Sequence, residues 1–179
     1  MIDLDDIDRR IISELQRDGR LAIVDLADRV GLSATPCLRR VKRLEADGLI
    51  RRYAALVDPK GLGLSTQALV QVTLDDHSEP VVEAFEAAIR QRPEVIACYA
   101  VTGEMDFLLQ VQVADLEAFS EFALKALLRM PGVRGTKSSF IMQTIKSDLA
   151  WAPSPAATAA PDRRGAAPVR GRSAASPRA

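Results

Sequence analysis

The chain has 179 residues, a hydrophobic fraction of 47% and no formal net charge. This length suits one large domain or two small ones, and the charge excludes a protein that binds polyanions through overall charge alone. The apolar runs are shorter than the roughly 20 residues that span a bilayer, and the acidic first residues do not resemble a signal peptide. We therefore expect a soluble, cytoplasmic protein with no membrane partner.

The zero net charge conceals two basic segments. Residues 29–52 carry seven cations against two anions, a local charge of +5. Residues 152–179 carry five arginines against Asp162, a local charge of +4. Basic clusters attract nucleic acid even where the whole chain is neutral, so the first segment is a candidate for contact with DNA. In the second segment the arginines have two interpretations, weak DNA affinity or simple solubility.

Three amphipathic helices are predicted in the first 50 residues, over 4–17, 23–30 and from about 34 to 46. Gly31 permits a left-handed turn between the second and third helices, and Ser33 or Thr35 can cap the third. Two helices joined by such a turn are typical of a helix-turn-helix. The alternative is an ordinary three-helix bundle with a solvated charged face. In the third helix we expect a core side formed by Cys37, Leu38, Val41 and Leu44.

The opposite side of the third helix is cationic. Arg39 and Arg43 lie near its centre, and no acidic residue occurs from position 36 to 43, which favours a helix that reads the major groove of double-stranded DNA. Arg39 is best placed to pair with a guanine. We expect base-edge contacts from Ser33, Thr35, Pro36 and Arg39, and phosphate contacts from Arg40, Arg43, Arg51 and Arg52.

The hydrophobic period changes after an extended segment and linker at 51–64. Strands are predicted over 65–75, 95–101, 106–113 and 133–145, and helices over 79–91 and 116–130, the latter with Leu116 inward. The order β-α-β-β-α-β predicts an α+β ferredoxin-like domain with both helices on one face of an antiparallel sheet. The other sheet face also carries apolar residues, so we expect a dimer formed sheet to sheet.

The rest of the chain offers little chemistry. Cys37 and Cys98 lie in apolar runs, which predicts buried free thiols, and His77 lies in a polar turn, which predicts a solvated side chain. With one histidine and no paired cysteines we expect no metal site and no cofactor. The sequence shows neither a nucleophile with a partnered base nor a phosphate-binding loop, so we do not expect an enzyme. Residues 152–179 are too polar to fold and should be disordered, with Trp151 at the ordered edge.

Several separate motifs, in order, resemble the Lrp/AsnC (leucine-responsive/asparagine-responsive, feast-famine) family of bacterial transcription regulators, nearer the leucine-responsive branch. The resemblance covers about residues 3–149. Its motifs are Asp8-Arg9-Arg10-Ile11-Ile12, Leu26-Ala27-Asp28-Arg29-Val30-Gly31-Leu32-Ser33, Thr35-Pro36-Cys37-Leu38-Arg39-Arg40-Val41, Arg43-Leu44-Glu45, Gly48-Leu49-Ile50, Val101-Thr102-Gly103-Glu104-Met105-Asp106-Phe107-Leu108-Leu109 and Leu128-Arg129-Met130-Pro131-Gly132-Val133.

The resemblance implies a three-helix winged helix-turn-helix over 1–50 and an ACT-like (RAM) effector-binding and oligomerisation domain over 65–151. It implies homodimers that assemble further to tetramers or octamers, and a small effector, usually an amino acid, bound between subunits. By resemblance Gly103, Glu104 and Asp106 map to the effector loop. Thr136, Ser138 and Ser139 are the residues that we expect on its facing wall.

Elementary chemistry agrees with part of this assignment. The carboxylate of Asp106 follows a glycine turn and suits an α-ammonium group, while backbone N–H groups around Gly103 suit an α-carboxylate. The competing interpretation is an aspartate that only closes the turn and begins a strand. For the whole chain we expect a sequence-specific regulator that responds to an amino acid. The rival hypothesis is an architectural protein that wraps DNA with little effector control.

Overall fold

The structure is a computed structural model that describes residues 4–147. These residues form two compact units, divided after Tyr53. No helix in the described part of the chain is long and apolar enough to cross a membrane. The expectations for Trp151 and for the tail at 152–179 lie outside the described residues.

The first unit contains three helices: α1 (Asp6–Arg17), α2 (Ile23–Val30) and α3 (Ala34–Ala46). Asp5 caps α1 by accepting a hydrogen bond from the Asp8 backbone N–H. Gly31 ends α2 with a φ of 75°, the left-handed conformation expected between the two helices of the motif. The three-helix prediction is therefore confirmed.

The core of the first unit is formed by the apolar stripes of the three helices. Its buried members are Ile11, Leu26, Ala27, Val30, Cys37, Val41 and Leu44. Leu38 was expected on this side, and that prediction is wrong, because 39% of the side chain is exposed. Leu38 is one residue, or about 100° of rotation, beyond the buried Cys37 and therefore lies at the margin of the stripe.

The second unit is an antiparallel sheet, and its helices follow strands along the chain. Its elements are β1 (Thr66–Leu74), α4 (Glu79–Arg90), β2 (Val95–Ala100), β3 (Phe107–Val113), α5 (Leu116–Glu121) and β4 (Val133–Phe140). The strand order is β2-β3-β1-β4, with every neighbouring pair antiparallel. This is the predicted βαββαβ arrangement.

The core of the second unit lies between one face of the sheet and the helices. Alternate residues of β1 and β3 point into it, and Phe85 of α4 stacks on Phe107 with ring centroids 4.6 Å apart. Two predicted core residues are exposed instead. Cys98 is exposed because β2 is an edge strand, and Leu116, 60% exposed, begins α5 at the domain surface.

Two elements are shorter than the sequence pattern predicts. The expected helix over 116–130 is α-helical only to Glu121 and continues as a π-helical turn, Phe122–Ala126, and a 3-10 turn, Leu127–Arg129. The final strand ends at Phe140, short of the predicted position 145, and pairs there with Ala68 of β1. Only Thr66 and Gln67 of β1 lie beyond that pair, and one more backbone hydrogen bond follows, from the Ile141 N–H to the Gln67 carbonyl at 2.9 Å.

Candidate nucleic-acid interface and effector loop

The N-terminal end of α3 carries the residues predicted to contact bases. Ser33 is the N-cap residue, but its hydroxyl makes no capping hydrogen bond. Thr35 and Arg39 are exposed and Pro36 is partly buried. The first turn contains no acidic side chain, so no carboxylate there offsets the positive end of the helix dipole. This end of α3 is suited to an anionic partner.

The predicted cationic face divides into paired and unpaired side chains. Within residues 4–147, the side chains of Arg39, Lys42, Arg51 and Arg52 take part in no hydrogen bond or ion pair. Arg40 and Arg43, in contrast, are bound to α1. Their partners are carboxylates that the sequence pattern did not single out.

Asp8 is the centre of this pairing. It is 1% exposed, and its Oδ1 accepts a hydrogen bond from Arg40 Nη1 at 2.9 Å, while its Oδ2 accepts one from Arg43 Nη2. Arg40 Nη1 also donates to Asp5 Oδ2 at 2.6 Å. Because Asp5 and Asp8 cap α1 reciprocally, the two arginines fasten α3 to the first turn of α1.

The charges of this cluster stabilise one another. The backbone N–H of Asp8, together with Arg40, lowers the pKa of Asp5 below its ordinary value. The carboxylates of Asp5 and Asp8 raise the pKa of Arg40. A signal for Asp8 existed in the sequence, because it lies three and four residues before Ile11 and Ile12 and therefore shares the apolar stripe of α1.

The segment after α3 holds two further candidate residues in place. Residues 51–58 form no regular secondary structure, and Arg51 and Arg52 are exposed there. The Tyr53 hydroxyl donates a hydrogen bond to Glu45 Oε1 at 2.9 Å, and burial followed by this carboxylate raises the pKa of Tyr53 to about 12. This hydrogen bond attaches Tyr53, the residue directly after the two arginines, to the C-terminal turn of α3.

The predicted effector loop joins β2 to β3. Gly103 has a φ of 122°, and a Cβ atom added there would meet no atom within 4 Å. Glu104 is exposed and Asp106 is partly buried. The loop therefore has an open glycine and a partly buried carboxylate, and its role as an effector site stays a prediction.

Asp106 already has partners within the domain. Its Oδ2 accepts a hydrogen bond from the Leu74 backbone N–H at 2.7 Å, and its Oδ1 lies 2.8 Å from His77 Nε2. The Leu74 hydrogen bond and the contact with His77 lower the pKa of Asp106. His77 was expected to be solvated, and although its side chain is 67% exposed it is bound to this carboxylate.

The three residues expected on the facing wall do not share one surface. Ser138 pairs with Val70 and Thr136 pairs with Val72, two residues of β1 that face the helices. Ser139 pairs with Leu69, which points to the open face. Thr136 is level with the end of β3 next to Asp106, two strand spacings or about 10 Å away.

Family models match both units of the chain. A winged helix-turn-helix DNA-binding domain matches residues 4–51, and the Lrp/AsnC ligand binding domain matches residues 67–151. With the geometry above, these matches define a DNA-binding transcriptional regulator with a ligand-binding domain, not an enzyme. The chain belongs to the Lrp/AsnC family.

Its relatives include the leucine-responsive regulatory protein of Salmonella typhimurium, 44% identical over 144 residues, which cover 80% of this chain and 88% of the relative. The protein of the same name from Escherichia coli K12 gives the same values. Among solved structures, a transcriptional regulator from Neisseria meningitidis in complex with L-methionine has a TM-score of 0.79 and 44% identity, covering 82% of this chain and 95% of its own. A feast or famine regulatory protein from Mycobacterium tuberculosis, also complexed with L-methionine, has a TM-score of 0.78 and 37% identity, covering 84% and 100%.

Proposed function

We propose that α3 enters the major groove of double-stranded DNA and that Ser33, Thr35, Pro36 and Arg39 contact base edges. The observation that carries this proposal is the exposed guanidinium of Arg39, which no described side chain engages. A guanidinium free of internal partners can donate two parallel hydrogen bonds to the O6 and N7 atoms of guanine.

The phosphate contacts are proposed for Arg43, Arg51, Arg52 and, to a smaller extent, Arg40. Arg51 and Arg52 are free to do so. The side chain of Arg43 is 46% exposed and that of Arg40 only 25% exposed. Because a guanidinium has five N–H donors, both can still reach a phosphate, but Arg40 acts chiefly by holding α3 on α1.

Footprinting of the full chain at moderate salt tests the DNA proposal. We expect discrete protected half-sites about one helical turn, or a multiple, apart, because a two-fold dimer presents two α3 helices. Continuous protection without a preferred sequence would contradict it and favour the architectural hypothesis.

We propose that Gly103, Glu104 and Asp106 bind an amino-acid effector, which reaches them where subunits meet. The L-methionine complexes of two relatives support this class of ligand. In this chain the α-ammonium group would bind Oδ1 of Asp106, the oxygen that His77 contacts. The His77 ring is exposed enough to move aside. Thr136 and Ser138 can contribute from the helix side of β4, and Ser139 from the open face.

A thermal-shift measurement tests the effector proposal. L-methionine and L-leucine should raise the unfolding temperature, since a ligand at 100 times its Kd stabilises by about 2.7 kcal/mol. N-acetyl-L-methionine, which lacks the ammonium group, is the matched control and should give no shift. Equal shifts with both compounds would rule out recognition of the ammonium group by Asp106.

The open face of the sheet is proposed to pair with the same face of a second copy, and the dimers to assemble into tetramers or octamers. Leu69 and Tyr99 are 36% and 55% exposed on this face, and an apolar face of this kind is a typical association surface. The assembly would act in the cytoplasm, associated with the nucleoid.

A further inference from the structure

The second unit contains a cleft at the opposite end of β2 from the effector loop. It lies where β2 begins and β3 ends, beneath the π-helical turn Phe122–Ala126, and has a volume of about 600 Å³. Because β2 has six residues that rise about 3.3 Å each, the cleft lies roughly 20 Å from the effector loop. Its volume is within the usual range for small-ligand sites.

Two opposite charges line this cleft without pairing. Arg92 and Glu94 both border it and are both partly buried. Among the described residues, neither side chain forms a hydrogen bond or ion pair, and the Oε2 atom of Glu94 is buried with no partner. An unpaired buried oxygen of this kind is destabilising, and a ligand donor can offset that cost. The last torsion of a glutamate is broad, so a small rotation presents either oxygen to the cleft.

The backbone that carries these two charges is held firmly. The Arg92 N–H donates to the Ile89 carbonyl at 3.0 Å, and the Glu94 carbonyl accepts from the Gln112 N–H at 2.9 Å. The side chain of Gln112, only 8% exposed, donates to the carbonyl oxygens of Leu64 and Thr66 across the rim. The backbone at both residues is therefore fixed, so that binding has to order only their side chains.

The other two charged residues at the cleft, Lys125 and Glu121, form an ion pair with each other. Lys125 Nζ lies 2.5 Å from Glu121 Oε1. The remaining lining is largely apolar and includes the partly buried Ala118 and Ala126, with the core side chains of Phe122 and Val113 behind them. Phe122 and Ala126 belong to the π-helical turn, a rare conformation that is often found at functional sites.

We propose that this cleft is a second binding site, for a free α-amino acid with an apolar side chain. Arg92 pairs with the α-carboxylate, Glu94 accepts hydrogen bonds from the α-ammonium group, and the apolar side chain lies against the lining that includes Ala118 and Ala126. The proposal rests on the effector class proposed above but assigns it a second place, separate from Asp106. One positive and one negative group, both unpaired, match a zwitterion and not a simple ion.

Binding of L-methionine to the full chain, measured by equilibrium dialysis, tests the proposal. We expect two molecules per chain for the wild-type protein and one for each of Glu94→Gln, Arg92→Gln and Asp106→Asn. Glu121→Gln removes a carboxylate from the same cleft that is already paired, so this matched control should keep two. Circular dichroism verifies that each variant remains folded.

The outcomes separate the two sites. One molecule per chain in the wild type, unchanged in Glu94→Gln and Arg92→Gln but lost in Asp106→Asn, would overturn the cleft and leave the loop. If the wild type binds one molecule per chain, and that binding is lost in Glu94→Gln but kept in Asp106→Asn, the result would support the cleft and overturn the loop assignment. No binding to the wild type would overturn both.

Discussion

Arg39 is the residue on which base recognition is proposed to depend. It is exposed and free of internal partners. We predict that Arg39→Ala weakens binding to a cognate site by about 1–3 kcal/mol and relaxes the preference at one base pair. Fluorescence anisotropy on a set of sites varied at single positions measures both effects. Lys42→Ala is the control, and it should weaken all sites alike. Uniform loss for Arg39→Ala would instead make Arg39 a phosphate contact.

Asp8 is the residue that we expect to matter most for the stability of the first unit. Replacing it with alanine removes the charge-assisted hydrogen bonds to Arg40 and Arg43, and one hydrogen bond of this type contributes about 1.5–3 kcal/mol to stability. The substitution also removes half of the reciprocal cap of α1. We predict that the urea midpoint of unfolding falls by an amount that corresponds to the loss of at least one such hydrogen bond. Asp6→Ala, an exposed acid in the same turn, is the control and should change the midpoint little. Equal effects would show that only the helix dipole is involved.

Asp106 should give the second unit an acid-dependent stability. Its pKa is lowered chiefly by the Leu74 N–H and then by His77. An aspartate with a folded pKa below its unfolded value of about 3.9 stabilises the fold fully above that pH, and the contribution is lost as the pH falls through the folded pKa. We predict that wild type loses more stability than Asp106→Asn on acidification below about pH 5. Parallel urea-midpoint curves for the two proteins would contradict this.

At the scale of elements, the turn before β4 is held by close packing against α4. Gly132 has a φ of 69°, and a Cβ there would lie 2.2 Å from Val81 Cγ1. Gly132→Ala should therefore cost about 1–2 kcal/mol for the backbone conformation and about 1–3 kcal/mol for overpacking. We predict that adding Val81→Ala recovers the second part only, as measured by a double-mutant cycle in urea. Gly31→Ala, with a similar φ of 75° but open space around it, should show the backbone cost alone.

Most helices and strands could be predicted from the period of their apolar residues, because each element buries a stripe of apolar residues that is visible in its own stretch of sequence. The division of residues 116–129 into α-helix, π-helical turn and 3-10 turn could not, since the pattern of apolar residues differs little between α and π turns. The register of β4 against β1, which separates Ser139 from Thr136 and Ser138, is also a long-range property. The pairing of Asp8 with Arg40 joins residues 32 positions apart, so charge counting along α3 could not reveal it.

At the scale of the whole molecule, the open sheet face is the surface proposed to couple assembly to DNA binding. Leu69 lies at its centre on β1 and is 36% exposed. We predict that Leu69→Glu shifts the protein from dimers and larger assemblies to monomers in sedimentation equilibrium, because the carboxylate would be buried without a partner at the interface. Leu124→Glu, at a 62% exposed position of the helix layer, is the matched control and should leave the assembly intact.

The same substitution should also weaken DNA binding, although no α3 residue is changed. In a dimer, binding of one half-site raises the effective concentration of the second α3 at the other, and that gain is lost in a monomer. Leu69→Glu should therefore bind a two-half-site operator no more tightly than a single half-site, whereas wild type and Leu124→Glu should prefer the complete operator. A monomeric Leu69→Glu protein that kept the preference would mean that pairing on DNA uses another surface.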